Sequence, residues 1–190
     1  MENIIENLVF NNQFKKDFLN KRKIFLWGPV EDSSSREIVD QLLYLESQKA
    51  NTEITFYINS PGGMVTSGMV IYDVMHMISS PVSTICMGLC ASMGAILLSG
   101  GTKGKRFIWP HGRVMIHQPS IGSLYGQASD LQIQAREMAR TKEMGAKILS
   151  ENCQKPLDQI NKDFDRDYWM SADESVKYGI VDGLSNKIIF

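Results

Sequence analysis

The stretch Val82-Ser-Thr-Ile-Cys-Met-Gly-Leu-Cys-Ala-Ser92-Met93-Gly94-Ala-Ile-Leu-Leu-Ser99 decides how this chain is read. Its first residues are β-branched and alternating, and predict a strand. Gly88 reads as a break. Ala91 to Ser99 is apolar and rich in small residues, the composition of a short buried helix. Ser92 therefore stands on a strand-to-helix turn. Such a turn lifts a hydroxyl clear of the sheet, and the helix N-terminus beneath it favours developing negative charge, so Ser92 is a candidate nucleophile. The competing reading is an ordinary N-cap serine. Ser92-x-Gly94 is only half of a G-x-S-x-G elbow, because Cys90 replaces the first glycine.

Upstream, Lys23–Trp27 and Ile54–Ile58 read as strands. Asp32-Ser-Ser-Ser supplies N-cap candidates for a helix with Ile38, Leu42, Leu43 and Leu45 on a broad apolar side. A second helix runs from Met64 to Ile78, where Ser79-Ser80-Pro81 stops it. Strands separated by helices of this length predict βαβ units around a parallel sheet. Sites in such sheets form at the carboxyl ends of the strands. Asn59-Ser60-Pro61-Gly62-Gly63 and Ser92 both lie just past strand ends, so they share one edge.

Downstream, Lys105–Ile108 and Arg113–Ile116 read as short strands around the turn Trp109-Pro-His-Gly112. A long helix spans Gln127 to Glu151, with Leu131, Ala135, Met138, Ala139 and Ala146 on its apolar face. A short helix covers Leu157 to Phe164, and Ser171-Ala-Asp-Glu174 is a capping box for a last one that ends near Gly179. Phe10, Phe14 and Phe18 put three rings on one helical face, to pack on the core or to dock on a neighbouring subunit. No internal repeat or long linker divides the chain, so residues 1–190 read as one domain.

Composition narrows the function classes. The 190 residues are 43% hydrophobic and 22% charged, which suits one domain with a sizeable core. A net charge of −1 gives no electrostatic footprint for nucleic acid. Three cysteines in no metal-ligand spacing read as packed, reduced thiols of a cytoplasmic chain. The first residues lack the apolar core of a secretory signal, and no apolar run approaches the roughly 20 residues of a membrane span. Gly100 to Arg106 has the wrong spacing for a phosphate loop, so the chain is not expected to hydrolyse ATP itself. No metal and no cofactor is expected.

A serine nucleophile needs a base within hydrogen-bond reach and a group that orients the base. Of three histidines, His76 lies inside a helix and His111 in a turn. His117 follows a strand, where side chains converge, and is the best candidate. The orienting acid is open among the carboxylates that follow, with Asp163, Asp165 and Asp167 clustered in one loop. An oxyanion hole needs two backbone N–H donors. Met93, at the helix start, offers one; Gly62 or Gly63, where backbone approaches substrate closely, offers the other.

Seven blocks then carry a resemblance: Tyr57–Gly63, Ser83–Gly88, Ala91–Ala95, Gly104–Phe107, Arg113–Pro119, Gly126–Ala128 and Tyr178–Asp182. In this order, over about residues 23 to 185, the chain resembles the proteolytic subunit of the Clp protease, the ClpP family. The resemblance implies an α/β, crotonase-like fold of repeated ββα and βαβ units with a protruding handle helix. It implies a serine peptidase with Ser92 as nucleophile, His117 as base, Asp167 as orienting acid and the Gly63 and Met93 N–H groups as oxyanion donors. It further implies two stacked heptameric rings enclosing the sites, and a separate AAA+ unfoldase of the ClpX, ClpA or ClpC type that feeds in unfolded polypeptides. By the same resemblance the handle, about residues 119–151, would join the rings, with Gln118, Pro119 and Arg166 as ring- and handle-contact residues. It also implies that the handle strand pairs with bound peptide through main-chain hydrogen bonds. Neither nucleic acid nor membrane is an expected partner.

Three departures from the family pattern stand out. Residues 1–22, the axial and unfoldase-docking segment, are unlike the usual family start. The stretch between Pro119 and Gly126 is one residue longer, and Leu89-Cys90 replaces a frequent Gln-Ala. The first two departures motivate one alternative, an inactive or weakly active paralogue that builds mixed rings with a second ClpP-like subunit. Another is an acyl-CoA enzyme on the same fold, which would use acidic residues and no serine at position 92.

Overall fold

β-branched and aromatic side chains make strands of Lys23–Trp27 (β1), Ile54–Ser60 (β2) and Val82–Ala91 (β3). The computed structural model describes residues 13–120 and 126–187. Phe10 and most of the lengthened stretch after Pro119 lie outside the described residues, as do the first twelve residues of the N-terminal segment. Helices α1 (Asp32–Gln48) and α2 (Val65–Met77) connect the first three strands, and all three pair in parallel. The expected βαβ units are present. α1 buries Ile38, Leu42 and Leu45. Leu43, expected on the same side, is instead half exposed. The N-cap of α1 is Glu31 rather than Asp32, and the Ser34 hydroxyl accepts the Glu31 N–H at 3.0 Å.

The strand before Ser92 does not break at Gly88. β3 is continuous, but its register against β2 shifts: Ile58 faces Cys86 while Ser60 faces Cys90. Two extra residues of β3 are thus accommodated as a bulge. The Asn59 side chain fills it, its Oδ1 accepting the Leu89 N–H at 3.0 Å. A Cβ at Gly88 would approach that oxygen to 3.1 Å, so the glycine makes room for the amide.

The bulge is also where β3 changes partner. Before it, Thr84–Cys86 pair in parallel with β4 (Arg106–Ile108); after it, Leu89–Ala91 pair in parallel with β5 (Arg113–Ile116). The Trp109–Gly112 turn therefore does not fold a hairpin. It carries the chain from one segment of β3 to the next in the same direction. β6 (Tyr168–Met170) pairs antiparallel with β5, and β7 (Gly183–Leu184) in parallel with β4.

Between β3 and β4 runs α3 (Met93–Ser99), whose seven residues are all buried. It packs against α2 and against α4 (Ala128–Cys153). Only the C-terminal half of α4 enters the core, through Ala146, Leu149 and Cys153. Ala135 and Ala139, expected on its apolar face, are exposed. The N-terminal half of the helix therefore protrudes, as a handle does. Short helices α5 (Leu157–Asp163) and α6 (Ala172–Tyr178) complete the chain, and Ser171 and Glu174 form the expected capping box.

β4 and β7 are fastened by a group the sequence reading passed over. Arg106 is 1% exposed and forms a two-pronged pair with Asp182, at 2.6 Å and 3.0 Å. Its remaining donors reach the Ser99 and Asn152 carbonyls. Burial opposes charge on Asp182, yet the guanidinium outweighs it and holds the carboxyl below its ordinary value. Both residues fall inside resemblance blocks, and an arginine inside a strand was the available signal. Among the described residues no helix is long and apolar enough to cross a membrane.

Candidate active site

Three strand ends converge on Ser92. β2 ends at Ser60, opposite Cys90; β3 ends at Ala91, opposite Met115; and the Ser92 N–H donates to the Met115 carbonyl at 2.9 Å. His117 lies two residues past Met115. The antiparallel register of β5 and β6 sets Tyr168 opposite Ile116, which brings Asp167 beside His117.

The side chains meet in a line. His117 Nε2 is 2.9 Å from Ser92 Oγ, and His117 Nδ1 is 3.1 Å from Asp167 Oδ1. The tautomer in which Nδ1–H donates to Asp167 leaves Nε2 free to accept the Ser92 hydroxyl. A base so placed can take the serine proton as the oxygen attacks. Ser92 precedes α3 at the N-cap position, but its side chain makes no capping hydrogen bond. Its backbone lies at φ 53° and ψ −122°, a conformation that a side-chain-bearing residue rarely adopts. The N-cap reading explains neither fact, whereas a hydroxyl aimed at a base explains both.

Close backbone packing holds the turn. Gly62 is at φ +90°, and a Cβ there would meet Ser92 Cβ at 2.6 Å and Ala91 O at 2.7 Å. Gly63 is at φ +148°, where a Cβ would run into the Val30 backbone. Val30 N–H donates to Gly62 O and Met64 N–H to Val30 O, which leaves the Gly63 N–H out of the ladder. Among the described residues neither the Gly63 N–H nor the Met93 N–H has a protein acceptor. Two donors near the serine are thus available to an oxyanion.

An apolar pocket opens beside Ser92 and His117. Val65, Met69, Ile96, Met144 and Phe164 line it, with Gly145 at its wall. Thr141 is the one polar side chain in its lining besides Ser92 and His117.

The three loop aspartates separate by partner. Asp163 accepts the Tyr178 hydroxyl at 2.9 Å and the Gln159 amide. Asp165 faces Lys142 at 3.4 Å and takes the Gln118 amide on its backbone carbonyl at 2.8 Å. Asp167 alone reaches His117. Gln118 thus binds the acid loop; Pro119 lines the apolar pocket, and Arg166 points outward with its side chain 92% exposed. His76 is bonded to the Tyr72 carbonyl within its helix, and His111 is exposed. Cys86, Cys90 and Cys153 are free and buried. Burial raises the Cys90 thiol well above its ordinary value, so the thiol two residues from Ser92 is a poor nucleophile. Among the described residues no cluster of metal-ligating side chains is present.

Residues 8–187 match the sequence model of the Clp protease family. That span takes in every strand and helix described above, and on this match the chain belongs to the Clp protease family, as a ClpP-like peptidase.

Proposed function

We propose that the chain is an active serine endopeptidase, with Ser92 as nucleophile, His117 as general base and Asp167 as the group that orients and stabilises His117. The observation that carries this reading is the pair of contacts, 2.9 Å and 3.1 Å, that joins the three side chains through a strained serine. His117 takes the Ser92 proton as Oγ attacks the peptide carbonyl, and the Gly63 and Met93 N–H groups receive the oxyanion. The imidazolium then protonates the leaving amine, giving an acyl-enzyme. Water, activated by His117, releases the acid and restores Ser92. The pocket lined by Val65, Met69 and Phe164 takes an apolar side chain on the acyl side of the cut.

The family match supports assembly and partnership in general terms; the finer picture is part of the same proposal. In it the whole chain is one cytoplasmic protease domain. Two stacked heptamers enclose the sites, the handle over about residues 119–151 joins them, and residues 1–22 face the axial pore. A separate AAA+ unfoldase supplies unfolded chains at the expense of ATP.

The test is intact mass and peptide mapping after treatment with a fluorophosphonate. A single adduct on Ser92 is expected. Ser92→Ala should abolish labelling and lower peptide cleavage by a factor on the order of 10⁵. Undiminished cleavage by that variant would overturn the reading. Absence of an adduct on folded, unmodified chain would favour the structural-subunit alternative.

A further inference from the structure

Asp167 is the least supported member of the serine–histidine–aspartate line. Its side chain is 60% exposed, and the bond to His117 is the one hydrogen bond it makes among the described residues. An orienting acid works only while its carboxylate stays in reach of the imidazole. Its position must therefore come from the loop that carries it, residues 164–167.

That loop is held at three points. Beyond it, Tyr168 enters the β5–β6 ladder opposite Ile116. At its first residue, the Gln118 backbone N–H donates to the Phe164 carbonyl. In the middle, the Gln118 side-chain amide donates to the Asp165 carbonyl at 2.8 Å and approaches Asp165 Oδ1 at 3.3 Å. Lys142 of α4 adds a contact to the same carboxylate at 3.4 Å. Gln118 is also the residue next to His117, so one dipeptide carries the base and fastens the loop of its acid.

We propose that Gln118 is a positioning residue: its carboxamide, bonded to Asp165, keeps Asp167 within hydrogen-bond reach of His117. It touches neither substrate nor the reacting atoms and acts through Asp167 alone. This inference rests on the serine peptidase reading above.

A double-mutant cycle tests it, read as the rate of Ser92 labelling by a fluorophosphonate on assembled, full-length chain, with kcat and KM for a short peptide alongside. Gln118→Ala should slow labelling by about tenfold, with the loss in kcat rather than KM. Gln118→Glu, which keeps the size but removes the donor and sets a like charge beside Asp165, should slow it at least as much. In an Asp167→Ala background the same Gln118→Ala change should cost less than about twofold, because the group it positions is gone. A general packing or assembly role would give the same loss in both backgrounds, and that result would overturn the proposal. So would Gln118→Ala or Gln118→Glu at the unmodified rate. A Ser92 that fails to label in the unmodified chain would sink the peptidase reading, and this inference with it.

Discussion

Ser92 shows at the scale of one residue how a backbone holds a reactive group. Its φ of 53° and ψ of −122° store on the order of 1–3 kcal/mol, which the surrounding packing must offset. Gly62 lies against that strain. Gly62→Ala should place a methyl within clash distance of Ser92 Cβ and Ala91 O, and strain its own φ of +90°. We expect peptide cleavage to fall by about 100-fold or more, with stability lower by about 1–3 kcal/mol, measured by steady-state kinetics and chemical denaturation. Much at this scale was legible in the sequence. Ser92 was marked by a strand-to-small-residue transition, and His117 by its place at a strand end. Asp167 was not separable from Asp163 and Asp165 by its own neighbours. Its selection depends on where α5 stops and on the register of β6 against β5, which are tertiary facts. The resemblance named it, and the contact to His117 gives the physical ground.

Elements position these residues, and two of them carry further tests. α4 forms a wall of the apolar pocket, and a Cβ at Gly145 would approach the Phe164 ring to 3.2 Å. Gly145→Val should narrow the pocket. Cleavage after Leu or Met should lose about tenfold in kcat/KM relative to cleavage after Ala, compared on matched peptides. The β4–β7 fastening predicts a pH effect. The Asp182 carboxyl lies below its ordinary value in the folded chain, so its contribution to stability is present at neutral pH. As pH falls below about 4, the unfolded state takes up the proton first and that contribution is lost. Asp182→Asn should remove this part of the acid dependence, read from denaturation midpoints across pH. Asp182→Ala, which leaves Arg106 buried and unpaired, should cost about 3–5 kcal/mol at pH 7. The existence and order of elements were readable from periodicity and punctuation, because local propensity and fold agree here. The bulge was not. Gly88 looked like an end because glycine weakens a strand, and only the Asn59 amide, from another strand, explains why it continues. The apolar face read along α4 was likewise half uncovered, since periodicity gives a face but not what meets it.

The whole molecule leaves large apolar side chains in water. Met77 is 82% exposed, Trp27 71% and Ile133 57%. They lie on α2, β1 and the protruding half of α4. Such spread-out apolar faces fit a subunit with several neighbours better than a monomer. Native mass spectrometry should find a multiple of the single-chain mass, and Ile133→Asp should shift the distribution toward smaller species. The described fold also has an uneven capacity for change. α3 is buried along its full length and packs against α2, α4, β2, β3 and β5. All seven of its residues are buried, so larger residues meet overpacking and smaller ones leave cavities. In a saturation library scored for folded protein, positions 93–99 should therefore form the deepest trough of tolerance. The segment behind the serine should drift least in sequence even where no peptide is ever cut.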